Sequence, residues 1–190
     1  CRTYILDHLE QAMSSGWIQI WYQPVVHTYF RTVSSFEALA RWQDPVRGMI
    51  SPGIFVPILE QAGKIEKLDR YVMTQVVKDL HEKLLDGSQV VPVSLNLSQM
   101  DFQLMSPLDE LNALTMRYQV PRHLLHIEIT ERVVAKSREQ MEMAINRFHE
   151  AGYDVWLDDF GSAYSSLNAL HSYSFDLIKL DMEFFRNFDQ

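Results

Sequence analysis

Polar residues that could bind a metal ion or move a proton recur near the ends of five apolar segments of this sequence. Glu37, Asn96 and Glu128 each come late in such a segment, and Asp158 directly follows another. Lys179 comes near the end of the fifth segment. If the segments are neighbouring strands, their ends meet at one edge of a sheet, so the recurrence predicts one shared site.

The chemistry of these residues favours hydrolysis of a phosphate ester. A carboxylate on a buried strand costs several kcal/mol unless it is paired or binds a metal. Oxygen ligands without cysteine suit a hard cation such as Mg²⁺ or Mn²⁺. Two such ions can hold the attacking and leaving oxygens of a phosphodiester, and the bound water then loses its proton more easily. Carboxylates combined with a lysine suit this reaction.

Short apolar strands alternate with amphipathic helices along the chain. The predicted strands are Ile18–Val26, Val33–Arg41, Val90–Leu97, Leu124–Thr130, Tyr153–Asp158 and Phe175–Leu180. The predicted helices are Tyr4–Ser14, Pro52–Ala62, Glu66–Leu85, Asp109–Tyr118, Ser137–Ala151, Ser165–His171 and a segment from Met182 to the end. The alternation predicts an α/β fold with a mostly parallel sheet, which a doubly wound sheet and a (β/α)8 barrel both satisfy. The polar strand ends favour the barrel, because barrels build their sites on that face.

Composition narrows the class of protein further. The chain has 190 residues, 47% hydrophobic and 22% charged, which is typical of one soluble globular domain. Its formal charge of -8 argues against a nucleic-acid polymer as partner. The single cysteine, Cys1, predicts a reducing compartment. The chain has no long apolar run or leader and begins without Met inside a predicted helix, so we expect a domain of a longer protein.

Each candidate residue has an ordinary structural explanation when it is taken alone. Asp159 could cap a turn, and Glu131 could be an acid in the first turn of a helix. Asn96 could form an Asx turn, and Lys179 could be a salt-bridge partner inside the barrel. Together these explanations fail, because they do not account for polar groups that recur at a similar position near the carboxyl ends of successive strands. The seven histidines are assigned to surface or core, since no pair has metal-site spacing on a shared face.

Seven segments, in order, resemble the EAL domain family, and they cover almost the whole chain. They read WYQPVV at 21–26, FEALARW at 36–42, ISPGIFVP at 50–57, SLNLS at 94–98, EITE at 128–131, DDFGSAYSSL at 158–167 and IKLD at 178–181. The three letters of the EAL motif carry little information alone, but seven ordered segments are specific. The resemblance implies a TIM-like (β/α)8 barrel with an antiparallel first strand. It also implies hydrolysis of cyclic-di-GMP to linear pGpG with two Mg²⁺ or Mn²⁺ ions.

The resemblance also assigns roles to individual residues. The implied metal ligands are Glu37, Asn96, Glu128, Asp158 and Asp159, with Asp158 bridging the two ions. The implied catalytic residues are Glu37, Lys179, which helps to activate the water, and Glu131, which steadies the loop after the DDFG strand. That loop links metal binding to dimerisation in the family. The implied substrate contacts are Gln23, Leu39, Arg41 and Asp181, with Arg41 at a phosphate and Gln23 at the nucleotide.

Two departures from the family pattern affect these expectations. The loop carries Ala163 where the family commonly has glycine, and Ala costs roughly 1 kcal/mol if that backbone needs a positive φ. Six strands are predicted where a closed barrel has eight. We therefore expect residues 1–190 to form a single EAL domain without its last two strand–helix units, which would expose two sheet edges.

Three functions remain open on the sequence alone. The first is an active phosphodiesterase, which the intact motif residues favour. The second is a catalytically silent receptor that binds cyclic-di-GMP, and the third is an unrelated Mg²⁺-dependent enolising lyase with a barrel fold. The resemblance further implies a homodimer in the bacterial cytoplasm. A sensor, diguanylate cyclase or membrane-anchoring domain elsewhere in the protein would fit the family.

Overall fold

The structure is a computed structural model, and it describes residues 1–136, 138–161, 173–182 and 184. The strands within these residues are β1 Ile18–His27, β2 Thr32–Asp44, β3 Gly48–Ile50, β4 Val93–Leu97, β5 Leu125–Thr130, β6 Asp154–Phe160 and β7 Leu177–Leu180. The helices are α1 Arg2–Ser14, α2 Pro52–Gln61, α3 Ile65–Leu85, α4 Gln99–Leu104, α5 Pro107–Tyr118, α6 Glu131–Lys136 and α7 Arg138–Glu150, with a 3₁₀ turn at Arg122–Leu124.

One curled sheet holds all the strands that the structure describes. Their order is β1-β2-β4-β5-β6-β7, and the short β3 pairs with β2 outside this path. β1 and β3 run antiparallel to β2, whereas β2, β4, β5, β6 and β7 run parallel. The α/β prediction and the antiparallel first strand are confirmed, and the six principal strands form part of a TIM-like barrel.

The interior strand β5 is almost completely buried, as expected for a strand in the middle of a parallel sheet. All residues of β5 from Leu125 to Ile129 are buried. Helix α3 covers the outer face with an apolar stripe at helical spacing, formed by Ile65, Leu68, Val72, Met73, Val76, Val77 and Leu80. Trp42 of β2 is fully buried in an edge-to-face contact with Phe55 of α2. The helix layer therefore fixes the outer face and leaves the inner face for the site.

Some boundaries differ from the prediction for physical reasons. β4 begins at Val93 rather than Val90, because Pro92 has no N–H for the ladder, although its carbonyl accepts the Phe36 N–H at 2.9 Å. β3 has three residues, and α4 and α6 have six each, which is too short for periodicity to reveal. The predicted helix at Ser165–His171 and most of the helix predicted from Met182 lie outside the described residues. Within the described part, no helix is both long and apolar enough to cross a membrane.

Candidate functional site

The register of the parallel strands brings the predicted polar residues onto one face near their carboxyl ends. Asn96 of β4 lies opposite Glu128 of β5. Glu37 of β2 lies opposite Ser94, two residues before Asn96 and hence on the same face. Asp158 of β6 lies opposite Thr130, two residues beyond Glu128. Each neighbouring strand therefore presents its polar residue to the inside of the curl.

Lys179 of β7 joins residues of three other strands into one hydrogen-bonded network. Its Nζ lies 2.7 Å from Oε2 of Glu37 and 2.6 Å from Glu128. The amide nitrogen of Asn96 donates to Oε1 of Glu37 at 3.0 Å. The structure thus brings together four residues from β2, β4, β5 and β7, which the sequence predicted to converge.

Burial and charge determine the electrostatics of this network. Glu128 has a fully buried side chain, and burial raises its pKa, with a smaller rise from the charge of Glu37. The hydrogen bond from Lys179 opposes both effects. Burial alone would lower the pKa of Lys179, but its hydrogen bonds to Glu128 and Glu37 outweigh burial and leave that pKa raised. The ammonium group is therefore held charged between the two carboxylates.

Asp158 and Asp159 lie where β6 departs from regular geometry. Burial raises the pKa of Asp158, while the positive charge of Lys179 partly offsets that rise. Asp159 is exposed and adopts a left-handed φ of 56°, which aspartate tolerates better than most residues. The pairing of β6 with β7 shifts between Leu157 and Phe160. The strict alternation of side chains is interrupted at this pair of acids.

Glu131 anchors the beginning of the segment that follows β6. Its side chain is buried, and Oε2 accepts the Gly161 N–H at 3.2 Å. Gly161 has a φ of 99°, and a Cβ at this position would lie 2.6 Å from the ring of Phe184. The rest of the predicted loop, including Ala163, lies outside the described residues. The predicted role of Glu131 in steadying that loop stays a prediction, and its contact with Gly161 lies at the loop's first residue.

The predicted substrate contacts lie around the network rather than within it. Gln23 is exposed on β1 opposite Glu37, and Leu39 is half-buried two residues further along β2. The half-buried Arg41 donates through Nη1 to the carbonyl of Ala40 at 2.9 Å. The backbone N–H of Asp181 donates to the Phe160 carbonyl at 2.9 Å, which ties the end of β7 to β6. These positions form a rim beside the charged network.

A cavity of about 290 Å³ adjoins this rim. Its lining includes Arg41 and Asn96 from the strands and Glu60 and Asp69 from the helix layer. This volume is close to the lower end of the range for small-molecule sites.

A carboxyl pair behind the site was missed by the sequence analysis. Asp69 of α3 and Asp101 of α4 are close enough for their charges to interact, and each has one buried carboxyl oxygen that receives no hydrogen bond from the described residues. Burial raises the pKa of Asp69 well above its usual range, and the charge of Asp101 adds to this rise. Burial and the mutual repulsion of the two carboxylates favour a protonated form in which one proton lies between them. The sequence carries no signal for this pair, because its two residues lie on different helices and Asp101 reads there only as part of the Ser98–Asp101 capping box.

The residues present fit a divalent cation in their chemistry. Glu37, Glu128 and Asp158 offer carboxylate oxygens, and Asn96 can offer its carbonyl oxygen because its amide nitrogen donates to Glu37. Within the described residues, however, no three acidic, histidine or cysteine groups are arranged to hold a metal ion. The positive charge between Glu37 and Glu128 is the ammonium of Lys179.

The fold and the site define a class: a domain built on a partial TIM-like barrel, with acids, an amide and a lysine at the carboxyl ends of its strands. The chain belongs to the EAL domain family, whose family model matches residues 6–190. The resemblance inferred from the seven motifs is thereby confirmed.

Relatives and solved structures agree with this assignment. The chain is 35% identical over 181 residues to the probable cyclic di-GMP phosphodiesterase PdeG of Escherichia coli, covering 93% of this chain and 35% of that protein. It is 29% identical over 178 residues to the cyclic di-GMP phosphodiesterase NbdA of Pseudomonas aeruginosa, and the match covers 94% of this chain and 23% of that protein. The solved structure of the PaMucR phosphodiesterase in complex with c-di-GMP superposes with a TM-score of 0.88 at 26% identity. The superposition covers 98% of this chain and 76% of that chain. The chain thus spans about a third of the length of PdeG and about a quarter of the length of NbdA.

Proposed function

We propose that this chain carries the site of a metal-dependent phosphodiesterase that hydrolyses cyclic-di-GMP to linear pGpG. The observation that supports it is the convergence of Glu37, Asn96, Glu128 and Lys179 from four strands into one network. Membership of the EAL family and the named activities of relatives point to the same substrate. Family membership also removes the reason for considering an unrelated enolising lyase.

The reaction is the opening of one of the two phosphodiester bonds. A water oxygen forms a bond to phosphorus, the bond from phosphorus to the 3′ oxygen breaks, and the 3′ oxygen takes up a proton. Lys179, held protonated by its two glutamates, donates hydrogen bonds to the water and stabilises negative charge on the phosphate. Arg41 binds a phosphate of the substrate, and Gln23 contacts the nucleotide. Glu131 holds the start of the following loop through Gly161.

Mg²⁺ or Mn²⁺ is the proposed cofactor, with two ions per site. The residues that would hold them are Glu37, Asn96, Glu128, Asp158 and Asp159. When bound, the ions lower the pKa of the attacking water and stabilise charge on the phosphate oxygens. The fit rests on donor chemistry, since all five residues offer oxygen atoms.

Product analysis with cyclic-di-GMP and Mn²⁺ tests the proposal. We expect pGpG from the unsubstituted protein and at least a hundredfold lower rate from Glu37→Ala, because a group in the charged network is lost. Glu10→Ala is the matched control, since Glu10 is an exposed glutamate that pairs with Lys67 on the helix layer. Unchanged hydrolysis by Glu37→Ala, or no product from the unsubstituted protein under any metal, would count against the enzyme.

A catalytically silent receptor is the second candidate, and one observation favours it. The ammonium group of Lys179 already pairs with both Glu37 and Glu128, which are two of the proposed metal ligands. A receptor would bind cyclic-di-GMP tightly, whether or not metal is added, and release no pGpG. Equilibrium dialysis beside the product assay separates the two candidates, because the enzyme gives product and the receptor gives only binding.

The biological setting belongs to the same proposal. Similar proteins include the oxygen sensor protein DosP of Escherichia coli, of which the matched region covers 22%. We place this chain within a multidomain signalling protein of the bacterial cytoplasm, joined to a sensor or diguanylate cyclase domain and working as a homodimer. Light scattering of the purified protein tests the dimer, and a monomeric mass at working concentration would contradict it.

A further inference from the structure

Trp21 is unusually exposed for a tryptophan on the inner face of the sheet. Its exposed fraction is 48% on β1, the first strand of the sheet order, whereas Trp156 on the inner face of the interior strand β6 packs against His126 and is 5% exposed. Trp42, on the opposite face, is fully buried against a helix. An indole left open on an inner face has a large apolar surface available to a ligand.

The strand register places Trp21 beside the charged network. In the antiparallel pair of β1 and β2, Trp21 lies opposite Leu39 and Gln23 lies opposite Glu37. Directly opposed residues share a face, so the indole is on the same face as the Glu37 carboxylate. The offset of two residues along the strand corresponds to about 7 Å. This is within the span of a single nucleotide.

Arg41 links the indole to a position suited to a phosphate. Its guanidinium carbon lies 5.8 Å from the centre of the Trp21 ring, a cation–π contact that orients the side chain along the inner face. Guanidinium groups bind phosphate oxygens in pairs, and aromatic planes stack on nucleobases. A phosphate group at Arg41 would therefore place an attached base close to Trp21.

We propose that Trp21 is a specificity residue that stacks on a purine base of the dinucleotide substrate, while Arg41 holds the adjoining phosphate. The inference deepens the proposed function and rests on it. Stacking needs only a flat π surface, so Trp21 contributes to binding of the substrate and takes no part in bond cleavage.

Substitution that removes only the π surface tests the inference. We expect Trp21→Leu to raise the KM and the dissociation constant for cyclic-di-GMP between about fivefold and a hundredfold, the range that stacking of one base supports, with kcat nearly unchanged. Trp21→Phe should recover most of the affinity because it keeps an aromatic ring. Tyr29→Leu is the control, since Tyr29 is an aromatic residue 84% exposed at the β1–β2 turn and should leave binding unchanged.

Tryptophan fluorescence gives a second measurement, which would not respond to the nucleotide if Trp21 had only a structural role. Stacking of guanine on Trp21 should quench emission of the unsubstituted protein during titration with cyclic-di-GMP, and Trp21→Phe should lose most of that quenching while still binding. Equal affinity of Trp21→Leu and unsubstituted protein would overturn the inference and leave the proposed function standing. Failure of the unsubstituted protein to bind cyclic-di-GMP would overturn both.

Discussion

The pairing of one lysine with two glutamates is the feature of single residues that most affects the site. Lys179 lies within 2.7 Å of both Glu37 and Glu128, and the Glu128 side chain is fully buried. Removing one partner of a buried ion pair leaves an uncompensated charge, which costs more than the pair contributed. The stability of the sheet and the charge of the site therefore depend on the same contact.

Replacement of Lys179 by methionine should therefore destabilise the protein in a pH-dependent way. Without the ammonium, Glu128 is buried beside Glu37, and we expect the free energy of unfolding to fall by about 1–3 kcal/mol at pH 8. Burial already raises the pKa of Glu128, and loss of Lys179 raises it further, so protonation at pH 5 should reduce the loss. Urea unfolding at the two pH values measures the difference.

A matched lysine elsewhere separates this effect from a general loss of charge. Lys67 pairs with Glu10 on the helix layer, and the two side chains are 44% and 70% exposed. Exposed pairs contribute about 0–1 kcal/mol, so Lys67→Met should change stability little at either pH. Equal losses for the two variants would contradict the special role of Lys179.

The sequence predicted which residues converge, and it did so for a physical reason. Parallel strands joined by helices place their carboxyl ends together, so the alternation of strands and helices was enough to assign Glu37, Asn96, Glu128 and Lys179 to one face. Their partners could not be assigned, because contacts such as that of Lys179 with Glu128 depend on how tightly the sheet curls. The Asp69–Asp101 contact was missed because it joins two helices, where neither strand alternation nor motif spacing gives information.

Among the helices, the neighbouring carboxyl groups of Asp69 and Asp101 at the junction of α3 and α4 should make stability depend on pH. Asp69 has a raised pKa in the folded protein because of burial and the charge of Asp101, with smaller effects of Glu60 and Glu66. A raised carboxyl pKa stabilises the fold fully below the unfolded value of about 3.9. That stability is lost as pH rises through the folded pKa.

Substitution of Asp69 by asparagine should remove this dependence. Asparagine keeps a donor toward Asp101 but cannot ionise, so we expect its stability to fall less than that of the unsubstituted protein as pH rises from 4 to 8. Thermal unfolding across this range measures the change. Asp109→Asn is the control, because Asp109 is exposed at the start of α5. A parallel fall in stability for Asp69→Asn and the unsubstituted protein would contradict the shared proton.

The end of β6 offers a prediction about backbone geometry. Gly161 combines a φ of 99° with a site where a Cβ would lie 2.6 Å from Phe184. Gly161→Ala should therefore cost more than about 1 kcal/mol, and it should also weaken hydrolysis by displacing the N–H that Glu131 binds. Adding Phe184→Ala should relieve the steric part of the cost and leave the conformational part.

A second glycine provides a control, because alanine at this position should raise stability rather than lower it. Gly53 lies in α2 without a positive φ, and the nearest atom to its added Cβ is 3.7 Å away. Gly53→Ala should stabilise the helix by about 0.5–1 kcal/mol. Urea unfolding of both variants measures the contrast, and a destabilisation of similar size at both positions would show that conformation at Gly161 is not the cause.

At the scale of the whole molecule, the site connects strands from one side of the curled sheet to the other. Glu37 lies on β2 and Lys179 on β7, and these strands are separated by β4, β5 and β6 in the sheet. A ligand bound across this face would contact strands that are far apart in the order of the sheet. Binding should therefore stabilise the fold as a unit rather than one loop.

A thermal shift with metal and nucleotide together tests this coupling. At ligand concentrations of about 100 times the dissociation constant, binding adds about 2.7 kcal/mol to stability. For a domain of this size we expect the unfolding midpoint to rise by about 5–10 °C with Mn²⁺ and cyclic-di-GMP. Glu128→Gln should reduce the shift, because it removes a charge from the centre of the network. An equal shift without Mn²⁺ would favour the receptor over the enzyme, and an unchanged midpoint would contradict binding across the sheet.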